Sequence, residues 1–218
     1  MKFRCSSIGK LMTEPRSKAE GPLSVGAKTY IRELAAQEIF GVDFVVSSKF
    51  MEKGIECEGD SILLLNNVRG LSLAKNTERK SNDFITGECD LFDAQMRRGH
   101  DIKTSWSIAT FPITVADCED KLYEWQMRGY MALWDADDWE VNYCLVDTPD
   151  RLISFEPMEL HFVSGIPEHM RVTTWTVKRD LEKEAAIFEK VKHAREYFKT
   201  VVNEFDRTHS DMTIKKAA

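Results

Sequence analysis

The sequence predicts one α/β or α+β domain, because strand-like and helix-like patterns follow one another along a chain of moderate length. Strand patterns occupy a hairpin-like stretch at 84–104 and an alternating run at 139–147. Helical spacing of apolar residues marks 24–40, 119–134 and about 178–205. A length of 218 residues suits a single domain. No internal repeat or linker divides the chain.

The composition is that of a chain with a sizeable core and a charged surface. Hydrophobic residues make up 43% and charged residues 30%. No apolar run approaches the length of a bilayer, and the N-terminus lacks a signal-peptide core, so a cytoplasmic protein without a membrane partner is expected. The net charge of −6 does not by itself indicate nucleic-acid binding. Clustered charge governs phosphate binding, and a carboxylate metal site adds negative charge that its ions cancel.

The cysteines are dispersed and form no motif. They are Cys5, Cys57, Cys89, Cys118 and Cys144. The absence of a C-x-x-C pair, and of histidines at zinc spacing, argues against a disulfide framework and against a zinc or iron–sulfur centre. Reduced, mostly buried thiols are expected.

A serine pair near the N-terminus predicts the start of a helix. Ser6 and Ser7 precede the apolar Ile8, and Arg4 lies just before them. Serine is a favoured N-cap residue, and a helix N-terminus with free amides and a nearby arginine forms an anion site. The alternative is that the serines only cap the helix.

The stretch D-I-K at 101–103 is the most informative part of the sequence. Together with Asp90 it belongs to a predicted hairpin whose turn contains M-R-R-G, ending at Gly99. Side chains alternate along a strand, so Asp101 and Lys103 share one face, and the hairpin can bring Asp90 beside them. As a bare triplet, D-x-K is more often an exposed ion pair.

A helix predicted at 51–66 places a carboxylate in an apolar face. Ile55, Ile62 and Leu65 share one side of the helical wheel, and Glu58 lies among them. A buried carboxylate requires a partner or a metal. The alternative is that Glu58 lies at the edge of the face and reaches solvent, or pairs with a lysine.

A second helix, at 119–134, also directs polar groups inward. Its predicted apolar face consists of Leu122, Trp125, Gly129 and Leu133. Gln126 lies in the middle of this face, and Tyr130 follows one turn later. A buried amide requires hydrogen-bond partners.

The remaining segments are predicted more simply. The segment 67–83 is polar and basic, either a solvated loop or a track for phosphates, and 42–48 is a short strand or an extended connection. A strand is expected at 151–155, and residues 156–172 are expected to be irregular. The last helix, about 178–205, is amphipathic, and the tail from Thr208 onward is expected to fray.

Oxygen ligands without histidine or thiolate suit Mg²⁺ or Mn²⁺ better than zinc. A lysine beside such ions can activate an attacking water or stabilise charge in a phosphoryl transition state. The carboxylates, the lysine and the amide therefore indicate phosphodiester chemistry.

The ordered motifs resemble a known family. They are R-C-S-S-I-G-K-L-M at 4–12, K-G-I-E-C-E at 53–58, T-G-E-C-D at 86–90, D-I-K-T-S-W at 101–106 and W-Q-M-R-G-Y-M at 125–131. This order resembles the RecB-like branch of the PD-(D/E)xK nucleases, and more closely the phage lambda-type alkaline exonucleases, also called the YqaJ-like viral recombinase family. The resemblance covers roughly residues 4–150.

The resemblance implies one nuclease domain over residues 1–218, with a restriction-endonuclease-like core of a central mixed β-sheet flanked by helices. It implies a processive 5′→3′ exonuclease on linear double-stranded DNA that leaves a 3′ single strand for an annealing protein. It further implies a ring-shaped homotrimer, and a phage or prophage protein in the cytoplasm of a bacterial host.

The resemblance also implies a metal centre and a lysine that acts on water. Asp90 and Asp101 would bind Mg²⁺, two ions per site, with Mn²⁺ able to substitute. Glu58 would complete the site, and the Ile102 carbonyl would contribute. Lys103 would position or activate the attacking water.

Around this centre, the resemblance implies a supporting pair and a phosphate site. Gln126 and Tyr130 would buttress the metal ligands and the lysine. Arg4 and Ser6 or Ser7 would lie near the 5′-phosphate of the DNA.

Two other functions fit the same residues. One is a structure-specific or restriction-like endonuclease with the same core. The other is a non-catalytic DNA-binding or assembly module, which the presence of Asp90, Asp101 and Lys103 together disfavours.

Overall fold

The computed structural model of the chain describes the backbone of residues 1–44 and 47–216 and the side chains as far as residue 210. The helices in this part are α1 (Ile8–Leu11), α2 (Val25–Phe40), α3 (Lys49–Glu56), α4 (Glu58–Arg69), α5 (Lys121–Trp134) and α6 (Leu181–Lys216). The strands are β1 (Phe3–Arg4), β2 (Arg79–Ser81), β3 (Ile85–Glu88), β4 (Leu91–Asp93), β5 (Arg98–Thr104), β6 (Asp138–Cys144) and β7 (Val172–Lys178).

The strands form two mixed sheets, which confirms the predicted α/β class. The larger sheet has the order β4-β5-β6-β7, in which β5 and β6 are parallel and the other neighbours antiparallel. The smaller has the order β1-β3-β2, in which β1 runs parallel to β3. Helices flank both sheets, but the strands are divided between two sheets where one central sheet was expected.

The predicted hairpin is present as β4 and β5. Leu91 pairs with His100 and Phe92 with Gly99. This register puts Asp101 and Lys103 on one face of the sheet and Ile102 on the other. The D-I-K stretch is therefore the second strand of a hairpin, as predicted.

The face of the sheet that carries Ile102 also carries ion pairs between β5 and β6. Arg98 Nε lies 2.5 Å from Asp138 Oδ1, across directly paired residues. His100 Nδ1 lies 3.3 Å from Glu140 Oε2, and Arg69 of α4 reaches Glu140 at 3.2 Å. The opposite charges of Arg98 and Asp138, which face each other across the paired strands, stabilise the register.

The other face packs against α5 through aromatic rings. Trp139 is fully buried and stacks on Tyr130, with their ring centroids 5.2 Å apart. The Trp134 ring packs edge-on against the Trp139 ring, with the ring centroids 6.2 Å apart. Gly99 lies beneath this ring, since a Cβ there would be only 2.2 Å from Trp139 Cε2. The aromatic cluster thus sets the distance between α5 and β5.

The prediction of one helix over 51–66 is wrong. The chain forms two helices, α3 and α4, which meet at Cys57. Ile55 is 77% exposed, whereas Ile62 and Leu65 are buried. Ile55 therefore shares no buried face with Glu58, because the helical wheel that placed them on one side assumed a single continuous helix.

The C-terminal third differs from the prediction in two strands. The segment 151–155 forms no strand; a 3₁₀ turn covers Asp150–Leu152. A strand that was not expected, β7, pairs with β6 along its length. The helix α6 continues to Lys216, past the predicted end at 205 and the expected fraying from Thr208.

Two predictions about helix surfaces and ends also need correction. Ser7 is the N-cap of α1 but makes no side-chain capping hydrogen bond. Ser6 lies inside the preceding 3₁₀ turn, whose N-cap is Arg4, and Arg4 makes no side-chain capping hydrogen bond either. In α5 the most buried apolar positions are Met127, Tyr130, Met131 and Trp134, while Leu122 is 48% exposed. The buried stripe is thus rotated relative to the predicted one.

Other expectations about the chain are met where the structure describes it. The helix predicted from Ser24 to Phe40 is α2, and Gly41 ends it in a left-handed conformation with φ of 64°. The described residues of 42–48 form no strand, and 45–46 lie outside the described residues. All five cysteines are buried and free. Among the described residues, no helix has the length and apolar character needed to cross a membrane.

Gly99→Ala is expected to destabilise the fold by about 2–3 kcal/mol, because the new methyl group would overlap the buried Trp139 ring. Gly54→Ala in α3 is the matched control, since nothing lies within 4 Å of its Cβ position. Alanine at that site should stabilise the helix by up to about 1 kcal/mol. Urea denaturation of both variants measures the difference, and equal stabilities would contradict the close packing at Gly99.

Candidate active site

The hairpin brings Asp90 against the strand that carries Asp101. The residue lies between β3 and β4, and its Oδ2 accepts a hydrogen bond of 2.6 Å from the backbone N–H of Ile102. Asp101 is itself buried, with 3% of its surface exposed. Two carboxylates therefore share one desolvated volume, as the sequence predicted.

The close approach of the two carboxylates changes the protonation of Asp90. Burial, together with the charge of Asp101, raises the pKa of Asp90 to about 7. The Ile102 N–H and the Lys103 ammonium act in the opposite direction. The pair resists carrying two negative charges unless a cation offsets them.

Lys103 provides one such cation. Its Nζ lies 2.7 Å from Asp101 Oδ2 and 4.2 Å from the centre of the Tyr123 ring. Burial alone would lower the pKa of Lys103, but its ion pair with Asp101 outweighs burial, and the pKa is raised. The side chain is therefore an ammonium, suited to holding an anion or orienting a water.

Gln126 and Tyr130, on α5, hold the other side of Asp101. Gln126 Nε2 donates to Asp101 Oδ1 at 3.0 Å and lies 3.4 Å from the Tyr130 hydroxyl. Tyr130 donates to the backbone carbonyl of Glu88 at 3.1 Å. Burial raises the pKa of Tyr130, so it remains a neutral donor. The amide and the lysine each engage one oxygen of Asp101.

Glu58 lies at the start of α4 and does not contact the aspartates. Its side chain is 23% exposed and pairs with Lys75. The alternative considered from the sequence, an edge position paired with a lysine, is therefore the one observed. Among the described side chains, no three acidic, histidine or cysteine residues converge closely enough to hold an ion by themselves.

The residues present nevertheless fit a hard divalent cation. Asp90 and Asp101 supply oxygen ligands, and Mg²⁺ commonly binds one or two carboxylates together with water and substrate phosphates. The raised pKa of Asp90 marks a site where a positive charge would favour the ionised carboxyl. Glu58 and the Ile102 carbonyl remain predicted ligands.

The predicted phosphate residues line two different clefts. Arg4 and Ser6 border a cavity of about 280 Å³, together with Arg79 and Tyr130. Ser7 borders a different cavity of about 640 Å³, which Arg4 also borders. Only the first cleft adjoins the residues around Asp101, so the structure separates the two serines that sequence reasoning treated as equivalent.

The structure closely matches a known nuclease. A phage-related exonuclease from Haemophilus somnus 129PT is 38% identical, with 94% of this chain and 96% of that chain covered and a TM-score of 0.88. The chain belongs to the phage-related exonuclease family. This confirms the resemblance to the lambda-type alkaline exonucleases, and the chain is a deoxyribonuclease, as the sequence predicted.

More distant structures share the fold of this exonuclease. An alkaline exonuclease from Laribacter hongkongensis, LHK-Exo, is 17% identical, with a TM-score of 0.67 over 97% of this chain and 94% of that chain. The same protein in complex with dAMP gives a TM-score of 0.69 at 17% identity over the same shares. No protein-family profile and no curated protein matches the exonuclease.

Sequence reasoning missed one residue that supports the site, Lys53. It is fully buried in α3, and its Nζ donates to the carbonyls of Ser105 (2.7 Å), Trp106 (2.9 Å) and Val146 (2.9 Å). Burial lowers the pKa of Lys53 to about 8, which leaves the ammonium as the main form at neutral pH. Its three N–H donors match three carbonyls.

Lys53 connects α3 of the exonuclease to the segments that follow β5 and β6. Ser105 and Trp106 follow the end of β5 at Thr104, and Val146 lies two residues after the end of β6. No local signal distinguishes Lys53 from an exposed lysine, because Glu52 and Glu56 beside it are exposed and charged.

Lys53→Met is expected to destabilise the exonuclease by about 3 kcal/mol or more, because it leaves three buried carbonyls without a donor. Lys192→Met removes an exposed lysine paired with Glu189 and should change stability by less than about 0.5 kcal/mol. Chemical denaturation at neutral pH compares the two. Similar losses in both variants would contradict a bridging role for Lys53.

Proposed function

We propose that this exonuclease is Mg²⁺-dependent and degrades linear double-stranded DNA from the 5′ end, leaving a 3′ single strand. One observation carries the proposal: Asp90 and Lys103 cluster around the buried Asp101, with Gln126 bound to Asp101. This cluster lies in the fold of an exonuclease family.

Asp90 and Asp101 would hold the cation, with Glu58 and the Ile102 carbonyl as further oxygen ligands and two ions per site. Mn²⁺ would substitute, since it accepts the same oxygen donors. Such ions supply charge stabilisation at the phosphoryl oxygens and make a bound water more acidic.

The protein's own groups would orient the reaction. The Lys103 ammonium would hold the attacking water and stabilise negative charge that develops on the phosphate. Gln126 would keep Asp101 in one orientation, because its amide already occupies Oδ1. Tyr130 would hold Gln126 and the β3 backbone at a constant distance.

A 5′-phosphate would bind in the cleft beside Tyr130. Arg4 provides positive charge there, and Ser6 provides a hydroxyl donor. Arg79 lines the same cleft and pairs with Glu88 at 3.0 Å. Because this cleft adjoins the cluster of Asp90, Asp101 and Lys103, a bound terminal phosphate would fix how far the DNA strand extends toward that cluster.

The biological setting is proposed from the family resemblance. The exonuclease would produce 3′ single strands for homologous recombination of a phage or prophage in the bacterial cytoplasm. A single-strand annealing protein would receive them, and a ring-shaped homotrimer would retain the duplex during processive digestion.

Digestion of end-labelled linear duplex in Mg²⁺ is expected to release a 5′ label before a 3′ label on the same strand, because each strand would be degraded from its 5′ end. Lys103→Ala should slow this reaction at least about a hundredfold, because it removes the cation nearest Asp101. The variant should still bind duplex in Ca²⁺, where cleavage is not expected. Activity of Lys103→Ala equal to wild type would remove the lysine from the reaction.

Covalently closed circular DNA serves as the control substrate in the same assay. It has no end and should remain uncut. Cutting of the circle would favour the restriction-like endonuclease, and release of the 3′ label first would reverse the proposed polarity.

Ser6→Ala is expected to reduce the preference for a 5′-phosphorylated end over a 5′-hydroxyl end by about tenfold, the value of one hydrogen bond to a charged group. Ser7→Ala is the matched control, because Ser7 faces the other cleft. Initial rates on the two kinds of end measure the preference. An equal effect of both substitutions would argue against the cleft beside Tyr130 as the phosphate site.

A further inference from the structure

Lys75 lies at the edge of the active site on a segment that is held in place on both sides. Asn66 forms two hydrogen bonds with Leu73, at 3.2 and 2.9 Å. Asn76 donates its backbone N–H to the Asp90 carbonyl at 2.7 Å and its side-chain amide to the Cys89 carbonyl at 3.1 Å. The backbone of Lys75 is therefore fixed beside Asp90, although 53% of its side chain is exposed.

From this fixed position, Lys75 reaches Glu58. Its Nζ donates to Glu58 Oε2, and in the part of the chain that the structure describes this is the one hydrogen bond the Glu58 side chain makes. Glu58 is the first residue of α4 and is only partly exposed. The carboxylate is thus oriented by a lysine and not by the two aspartates.

The active site thereby contains two lysine–carboxylate pairs of different kinds. In the first pair Asp101 is buried and Lys103 is 23% exposed, and Gln126 also holds the aspartate. Lys75 and Glu58 are partly exposed, and exposed ion pairs are weak and readily exchanged. The second pair can open without disturbing the hydrogen bonds that hold Asp101.

We propose that Lys75 competes with the divalent cation for Glu58, so that the ion must displace the ammonium before this carboxylate can join Asp90 and Asp101. The inference rests on the metal site of the proposed function. It accounts for a predicted ligand that is paired with a lysine, because the ammonium of Lys75 occupies the Glu58 carboxylate.

Lys75→Ala is therefore expected to bind Mn²⁺ about threefold to fivefold more tightly than wild type, since the competing pair is worth no more than an exposed ion pair. Isothermal titration of the DNA-free, full-length protein with Mn²⁺ measures this directly. A gain in affinity is informative, because damage to the fold would weaken binding. Lys75→Arg keeps the charge and should bind Mn²⁺ no more tightly than wild type.

Two further variants separate competition from general charge. Lys192→Ala removes an equally exposed lysine, 54% against 53%, that is also paired with a glutamate, and it should not change Mn²⁺ affinity. In a Glu58→Gln background the gain from Lys75→Ala should shrink, because the contested carboxylate is gone.

The outcomes distinguish the inference from the function on which it rests. If wild type binds Mn²⁺ and Lys75→Ala binds it equally or more weakly, the competition is overturned while the metal site stands. An equal gain in the Glu58→Gln background, or in Lys192→Ala, overturns it as well. If wild type binds no Mn²⁺, both the competition and the proposed metal site are overturned.

Discussion

The hydrogen bond from the Ile102 N–H to Asp90 joins β5 to the segment between β3 and β4, at the point where the candidate active site forms. Its length of 2.6 Å places the Asp90 carboxylate against the backbone between Asp101 and Lys103. A slip of one residue in the β4–β5 register would turn Asp101 and Lys103 to the other face of the sheet. This bond and the register therefore determine whether the carboxylates meet at all, and their meeting explains the raised pKa of Asp90.

Close packing behind the site keeps this arrangement rigid. A Cβ at Gly87 would lie 2.7 Å from Tyr130 Cε1, so the glycine permits the tyrosine to lie against β3 and reach the Glu88 carbonyl. Tyr130 in turn stacks on Trp139. Because interiors packed in this way resist small shifts, the amide of Gln126 has a fixed platform from which to hold Asp101.

Local patterns in the sequence predict some of these features and not others. The hairpin with Asp101 and Lys103 is predictable because alternation and a turn signal are local. The break at Cys57 is not, since Gly54 and Gly59 lie on either side of it but within α3 and α4, so neither marks the junction. The strand β7 is also missed, because its pairing with β6 depends on tertiary contacts.

The lysines show most clearly what local sequence patterns cannot predict. Lys53, Lys75 and Lys103 all lie in polar stretches, yet one is fully buried, one is half exposed and one is paired with a buried aspartate. The partners of Lys53 and Lys75 belong to the backbone or are distant in sequence, so composition cannot assign them. The resemblance identified Lys103 through its D-x-K motif, whereas it gave no role to Lys53, the first residue of K-G-I-E-C-E, and Lys75 belongs to no motif.

The three lysines also compensate different groups around the site. Lys53 is bound to three carbonyls and is not available for exchange, because each of its donors is used. Lys103 offsets Asp101 inside the buried cluster. That leaves Asp90, whose carboxylate accepts one backbone hydrogen bond and carries the raised pKa, and Glu58, whose partner is partly exposed. A divalent cation would therefore gain most at Asp90, where charge is least compensated, and Glu58 would be the ligand that arrives last.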